Sequence, residues 1–327
     1  QMSFLYAFTD KWENHAYVHK DAVQCAGVIM TDTQRVRLSI VVVCYDMARE
    51  VKRTLFALSD KYQIGVTSDQ YEIIVIENGK QVLDPEWVEA QGDNVRYHFH
   101  ETQSASPSAA VNVGGEIAKG EYIALIVDGA RIPTPGMVRY TLDAMNTFHP
   151  CLVGTLAWHL GPAVQRVSRL SGYCQAVEDD MLESIKWDQD GYRLFEVATI
   201  APSSKFGFMN GIPAECSWLA LPHADFKRLG GYDEGFQSPG GGLVNHDFMK
   251  RAGEISTLNP VLLLGEGTFH QIHQGAATSA PDIKPVMSEF KEEYRKLRGN
   301  DFIPSRIQNA RYIGAMPDAA KQFIDLE

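Results

Sequence analysis

A strand, a helix and a second strand can be read from the apolar pattern of residues 38–76, and this order constrains the fold most. Leu38–Cys44 is a continuous β-branched run without a polar face, which is typical of a parallel strand buried on both sides. Tyr71–Ile76 is a second apolar run, and residues from Val51 to Tyr62 between the two runs are apolar at helical spacing. Asp46 is predicted to cap this helix. The order predicts the start of a doubly wound α/β sheet.

Polar residues follow each predicted strand. Tyr45 comes after the first strand, and Glu77 and Asn78 come after the second. A third apolar run, Glu121–Val127, ends in Asp128. Ligands of doubly wound sheets bind outside the carboxyl ends of the strands, so we expect the ligand site beside these residues.

A glycine-rich region separates two further helices. Gly230 and Gly231 end a short helix predicted for Ala224–Leu229, because glycine enters the left-handed conformation that a helix C-terminus needs. The glycine-rich loop Ser238–Gly242 then leads to the polar triplet Asn245-His246-Asp247, which opens the next helix.

These blocks, in this order, resemble the inverting family-2 glycosyltransferases with the GT-A fold. Gly230–Phe236, with Asp247 and Arg251, matches the family pattern GG-[FY]-D-E-x-F … E-D … R. Ala110–Asp128 is similar to A-x-N-x-G … A-x-G-x-Y-[IL] … D-x-D, whose small residues let a helix press against the sheet. The resemblance covers about residues 38–275 and implies an α/β GT-A fold, a mixed, mostly parallel central sheet flanked by helices. It also implies that a sugar, of hexose type, passes from a nucleoside-diphosphate sugar to a hydroxyl with inversion.

The resemblance also implies roles for single residues. The carboxylate of Glu77 would accept a hydrogen bond from the base of the nucleotide. The implied nucleotide-sugar-binding residues are Tyr45, Glu77, Asn78, Asn112, Asp128 and Arg131, and those of the acceptor loop are Gly241, Gly242, Asn245 and His246.

The catalytic base is implied to be an acidic residue of the triplet, and two alignments of the family pattern are open. Matching the family's E-D pair to His246-Asp247 makes Asp247 the base. Matching the downstream D-L-x-x-R to the segment from Asp247 to Arg251 places Asn245 at the base position instead. We prefer Asp247, since an Asn side chain does not accept a proton at neutral pH.

The metal motif departs from the family. Its second Asp is replaced by Ala130, which offers no oxygen to a hard cation such as Mn²⁺ or Mg²⁺. His270 and His273 follow a last core strand, Val261–Leu264, and are the candidates to complete a site with Asp128. We therefore expect the protein to supply few metal ligands, so that a divalent cation binds only when the diphosphate adds further oxygen ligands. The alternative is metal independence, with Arg131 and a protonated His carrying the charge.

Composition fits an ordinary soluble enzyme. The net charge is -11, and no basic run interleaved with aromatic residues suggests a nucleic-acid surface. The five Cys lack paired spacing and no apolar run approaches the ~18 residues of a membrane helix, so we expect a cytoplasmic protein. Gln165–Arg169 resembles the Q-x-x-R-W motif of processive relatives only loosely, because the Trp is absent. Single-sugar addition in polysaccharide biosynthesis, from a UDP or GDP sugar to a glycan or other hydroxyl acceptor, is therefore preferred.

We divide the chain into an N-terminal extension packed on the core (1–37), a GT-A domain (38–280) and a C-terminal helical extension (281–327). Within the GT-A domain, residues 38–135 are the nucleotide-sugar-binding half and residues 136–280 the acceptor-binding half. The C-terminal extension contains apolar residues at helical spacing, which favours a packing helix over a contact in a homodimer.

Two other functions remain open. The replacement of an acid by Ala130 and the presence of His246 would also suit a catalytically silent module that binds sugar nucleotides or glycans. A nucleotidyltransferase has a related sheet, but it normally has a Gly-rich basic loop after the first strand, and Tyr45–Arg49 lacks glycine.

Overall fold

A computed structural model describes residues 36–275, 278–280 and 282–324. The strands of this part are β1 (Leu38–Cys44), β2 (Tyr71–Gly79), β3 (Val95–Glu101), β4 (Tyr122–Ile126), β5 (Arg131–Pro133), β6 (Cys151–Leu160), β7 (Ala198–Ile200), β8 (Leu219–Pro222), β9 (Asn259–His270) and β10 (Arg311–Gly314). The helices are α1 (Glu50–Leu58), α2 (Pro85–Glu89), α3 (Ser108–Ile117), α4 (Met137–Phe148), α5 (Gln165–Leu170), α6 (Gln175–Ile185), α7 (His223–Arg228), α8 (Val244–Gly253) and α9 (Ile283–Arg298). Of the predicted N-terminal extension, residues 1–35 lie outside the described residues.

The strands form one mixed sheet in the order β10-β9-β6-β8-β4-β1-β2-β3, and β5 and β7 pair with β9 and β6. β8 runs antiparallel to both of its neighbours, whereas the other strands of the main order pair in parallel. Strands β1, β4, β6 and β9 therefore point the same way. We call the edge beyond Cys44, Ile126 and His270 the carboxyl edge of the sheet. The first residues of β8 lie at this edge too, because β8 is reversed.

The core lies on both faces of the sheet. Along β1, Val41 and Val43 pack into one hydrophobic cluster, and Ile40 and Val42 pack into the other. This alternation confirms the prediction of a parallel strand buried on both sides, and the mostly parallel α/β sheet flanked by helices is confirmed with it.

The small residues of α3 let this helix lie directly on the sheet, as the sequence predicts. A Cβ built on Gly114 would lie 2.4 Å from Cγ1 of Val41 in β1, and one built on Gly115 would lie 2.2 Å from Cε1 of Phe226 in α7. Any larger side chain would push the helix away from both neighbours.

Two local predictions differ from the structure, and a third is confirmed. α1 begins at Glu50, and Asp46 has a left-handed φ of 52°, so this residue cannot adopt the extended conformation of an N-cap. The C-terminal extension includes α9, as predicted, but it also supplies β10 to the edge of the sheet. Gly230 and Gly231 follow α7 with φ of 73° and 64°, which confirms the predicted helix end. No helix within the described ranges is long and apolar enough to cross a membrane.

Candidate functional site

An aspartate and two histidines meet at the carboxyl edge. Asp128 follows β4, His270 ends β9, and His273 lies three residues further along the chain. Nε2 of His270 lies 2.7 Å from Oδ2 of Asp128, and Nε2 of His273 lies 3.5 Å from Oδ1. The two imidazole nitrogens are 2.9 Å apart. One ligand atom from each residue fits within 4.8 Å of the others, which is a spacing that one metal ion can span.

The charges of this cluster suit a cation. Burial by itself would raise the pKa of Asp128, but His273 and His270 hold it well below its usual range, so the carboxylate is anionic. Burial lowers the pKa of His270 well below its usual range, and nearby Arg131 lowers it further. Burial also acts to lower the pKa of His273, but Asp128 outweighs it and the pKa is raised. The cluster thus combines an anionic oxygen with a neutral imidazole, both of which are metal ligands.

Ala130 adds no side-chain ligand, as predicted. It is fully buried, and its backbone N–H donates to Oδ1 of Asp128 over 3.1 Å. Nε of Arg131 lies 3.4 Å from Oδ2 of Asp128, the oxygen that His270 also approaches. The structure therefore brings together the predicted residues Asp128, Arg131, His270 and His273.

Two side chains of α5 donate hydrogen bonds to the backbone of the segment that carries His270 and His273. Nε2 of Gln165 donates to the carbonyl of His270 over 2.9 Å, and Nη2 of Arg169 donates to the carbonyl of His273 over 2.6 Å. In the sequence, Gln165–Arg169 only loosely resembles the Q-x-x-R-W motif. Its Gln and Arg are the signal that would have indicated this support.

Glu77 does not fit its predicted role. Its Oε1 accepts hydrogen bonds from the backbone of Val82 (2.7 Å) and Leu83 (3.0 Å), and its Oε2 accepts one from the hydroxyl of Tyr97 (2.5 Å). The side chain is fully buried. The carboxylate is thus used inside the protein to hold the loop after β2, and it has no surface to offer a nucleotide base.

Tyr45 and Asn78, two other predicted nucleotide contacts, differ in their exposure to solvent. Tyr45 is 45% exposed beyond β1, with its ring against Gly79. Asn78 is buried and donates to the carbonyls of Ser104 and Ser106 over 3.3 and 3.0 Å, so it holds the loop before α3. Only Tyr45 of these two faces the solvent.

Asn112 is bound to the loop that follows Gly231. Its amide donates to the carbonyl of Tyr232 (2.9 Å) and to Oε1 of Glu234 (2.8 Å), and its Oδ1 accepts from the N–H of Tyr232 (2.8 Å). A groove of about 630 Å³ opens beside it, lined also by Asp233, Arg251 and Arg298. Asn112 therefore supports this loop, because its amide group already has hydrogen-bond partners within it.

Asp247 is held by two arginines. Oδ2 accepts from Nε of Arg251 over 2.9 Å, and Arg298 of α9 donates to both carboxylate oxygens over 2.6 and 2.7 Å. The side chain is only 2% exposed. A buried carboxylate with two guanidinium partners does not suit a base that must reach an acceptor hydroxyl. The i, i+4 pair with Arg251 fits the alternative alignment, in which Asn245 occupies the base position.

The remaining residues of the acceptor loop surround Asn245. The hydroxyl of Tyr232 donates to Oδ1 of Asn245, and Nδ1 of His246 donates to the carbonyl of Ala214 over 3.1 Å. Nε2 of His246 lies 3.7 Å from Oε2 of Glu215, a residue that the sequence analysis missed.

Gly241 and Gly242 have positive φ of 84° and 56°, which the loop before α8 requires. Oε1 of Glu293 in α9 accepts from the backbone N–H groups of Gln237 and Ser238 over 2.7 and 2.8 Å. The C-terminal helix therefore holds the start of the glycine-rich loop as well as Asp247.

Residues 39–169 match the model of glycosyl transferase family 2. Among solved structures, TarS 1–349 from S. aureus in complex with UDP-GlcNAc is similar with a TM-score of 0.52 and 14% identity, over 80% of this chain and 65% of that chain. A longer S. aureus TarS chain gives a TM-score of 0.48 at 14% identity, over 72% of this chain and 37% of that one. The mannosyltransferase PcManGT from Pyrobaculum calidifontis, in complex with GDP-Man and Mn²⁺, gives 0.38 at 14% identity, over 65% and 51%.

This chain thus spans less than two thirds of the length of each of these two TarS chains. No curated protein matches it. At this identity the TarS 1–349 likeness concerns the fold, and the fold is the GT-A fold expected from the sequence.

Proposed function

We propose that this chain, whose residues 39–169 match the model of glycosyl transferase family 2, transfers one sugar from a nucleoside-diphosphate sugar to an acceptor hydroxyl with inversion. The observation that carries the proposal is the Asp128, His270 and His273 cluster at the carboxyl edge of a GT-A sheet. This edge is where ligands of such sheets bind. A glycan is the acceptor class that we infer, with one sugar added in each encounter.

The cluster would hold a divalent cation. Asp128, His270 and His273 supply one carboxylate and two imidazoles, and Arg131 adds a positive charge beside them. Two imidazoles favour Mn²⁺ over Mg²⁺, because Mg²⁺ prefers an oxygen shell. When bound, the cation would neutralise charge on the departing diphosphate. Three protein ligands leave room for diphosphate oxygens, so nucleotide and cation should bind together.

The nucleotide base has a candidate contact in Tyr45. Its ring is 45% exposed at the end of β1 and lies against Gly79 at the end of β2. An aromatic face at this position can stack on a base. We assign this role to Tyr45 because the carboxylate of Glu77 is engaged with Val82, Leu83 and Tyr97.

Calorimetry with nucleoside diphosphates tests the proposal. UDP and GDP are titrated into the protein with Mn²⁺ and with excess chelator, and UDP-GlcNAc and GDP-Man serve as the first sugar nucleotides. We expect one of the two bases to bind only with Mn²⁺. Tyr45→Ala should weaken that binding about tenfold, consistent with the loss of one stacking contact. Absence of binding by either nucleotide under both conditions would contradict the proposal.

A silent binding module is the second candidate. It is favoured by the arginine partners of Asp247 and by Asn245, which would occupy the position of the base. Both functions predict binding of the nucleotide. Release of nucleoside diphosphate from a bound sugar nucleotide, even with water as the acceptor, would exclude the module.

A further inference from the structure

An inverting transferase needs a side chain that accepts the proton of the acceptor hydroxyl. Asp247 is buried and bound by Arg251 and Arg298, and Asn245 has no basic group at neutral pH. The proton acceptor should therefore be another residue at the carboxyl edge, close to the acceptor loop.

The segment before β8 approaches that edge. β8 runs antiparallel to β4, with Leu219 opposite Leu125, so the residues that precede β8 lie beside the end of β4 and Asp128. The hydroxyls of Ser217 and Thr268 are 2.7 Å apart, which fixes the same segment to β9 two residues before His270. Glu215 thus lies on the side of the sheet edge that carries the metal cluster.

His246 of α8 faces this segment. Its Nδ1–H donates to the carbonyl of Ala214 over 3.1 Å, so in the neutral ring the lone pair is on Nε2. Nε2 lies 3.7 Å from Oε2 of Glu215, and the ring packs edge-on against Phe302 with centroids 5.0 Å apart. The ring is thus fixed through Nδ1, and its Nε2 lies near the carboxylate but beyond hydrogen-bond distance of it, so Nε2 can accept a proton and the carboxylate can stabilise the resulting charge.

We propose that His246 is the catalytic base and that Glu215 is its positioning residue. Nε2 of His246 takes the proton of the acceptor hydroxyl while the acceptor oxygen forms its bond to the anomeric carbon. The bond from that carbon to the diphosphate oxygen breaks, and its electron pair leaves with the nucleoside diphosphate. The carboxylate of Glu215 stabilises the imidazolium. This inference rests on the proposed function and deepens it.

The test compares His246→Gln and Glu215→Gln with the wild-type chain. The probe is a UDP-linked or GDP-linked sugar, with water as the acceptor, and both the dissociation constant and the rate of nucleoside diphosphate release are measured. We expect His246→Gln to lower the rate at saturating donor about 10²-fold, as for the loss of a general base, with the dissociation constant within twofold of the wild type. Glu215→Gln should lower the rate about tenfold, and Glu215→Asp should restore part of it.

His149→Gln is the matched control. This histidine lies before β6 at the opposite edge of the sheet, where Nδ1 is 3.0 Å from the hydroxyl of Tyr122. The His149→Gln variant should release nucleoside diphosphate at the wild-type rate. A thermal melt of each variant separates loss of the base from loss of the fold.

The outcomes distinguish this inference from the proposed function. A folded His246→Gln variant with a rate within twofold of the wild type would overturn the base assignment alone. Wild-type protein that binds no nucleotide would overturn the proposed function and the base assignment together. Wild-type binding without release of nucleoside diphosphate would support the silent module and likewise overturn the assignment of a base.

Discussion

Arg298 in α9 donates two hydrogen bonds to the carboxylate of Asp247 in α8, although it lies 51 positions further along the chain. Nε lies 2.6 Å from Oδ1 and Nη2 lies 2.7 Å from Oδ2, and Nη1 also reaches Oδ2 of Asp233 over 2.7 Å. A planar guanidinium and a carboxylate match in this fork, which makes the pair specific as well as strong. Asp233 belongs to the loop that Asn112 binds, so one arginine connects the C-terminal helix to two parts of the acceptor half.

Replacing Arg298 should weaken the fold. Arg298→Met leaves the buried Asp247 with only Arg251 as a partner, and breaking a buried pair from one side costs about 3 kcal/mol of unfolding free energy. Urea denaturation measures this loss. Arg295→Met is the matched control in the same helix: Arg295 pairs with exposed Glu292 and Asp301, so its loss should change the unfolding free energy far less than the loss of Arg298. Equal effects of the two variants would contradict the structural role of Arg298.

The histidines of the metal cluster should couple nucleotide binding to Mn²⁺. His270→Ala and His273→Ala each remove one of three protein ligands, so each should weaken Mn²⁺-dependent binding of the nucleoside diphosphate by tenfold or more. Calorimetry with Mn²⁺ measures the effect, and electron paramagnetic resonance of the bound Mn²⁺ supplies a second readout. His98→Ala, an exposed histidine of β3, is the control. Unchanged binding in both cluster variants would remove the imidazoles from the site.

The strand-end residues could be predicted because their position follows from local patterns. The apolar runs that form β1, β2 and β4 are continuous in the sequence, and parallel pairing brings their ends together without further information. Asp128 and His270 therefore follow from the ends of β4 and of the last core strand. The pairing of Arg131 with His270 between β5 and β9 could not be predicted, because no pattern in the sequence indicates that these two strands meet.

Glu77 and Asp247 could not be assigned in this way, because distant residues decide what a carboxylate binds. Tyr97 comes 20 residues after Glu77, and Arg298 comes 51 residues after Asp247. No periodicity in the sequence indicates either contact. The family pattern also left two alignments of Asp247 open, and the ion pair with Arg251 in α8 favours the one that places Asn245 at the base position.

Glu266 should make the stability of the protein depend on pH. Burial raises the pKa of this β9 residue from 4.5 to about 7, although Thr134, Tyr192 and the N–H of Gly136 donate to its carboxylate and oppose the shift. The folded state keeps its proton between pH 4.5 and about 7, whereas the unfolded chain has lost it. The contribution of Glu266 is therefore fully present below pH 4.5 and declines as the pH rises to about 7.

The total decline is about 3 kcal/mol, at 1.36 kcal/mol for each pKa unit. Glu266→Gln holds a neutral side chain at every pH and should remove this decline. Urea denaturation from pH 4 to pH 8 measures it as the difference between wild type and variant. Taking the difference removes the contributions of other titrating groups to the pH dependence. His159 is one such group, and burial lowers its pKa to about 4. Parallel stability curves for the two proteins would show that the pKa of Glu266 is the same in the folded and unfolded states, which would contradict the prediction.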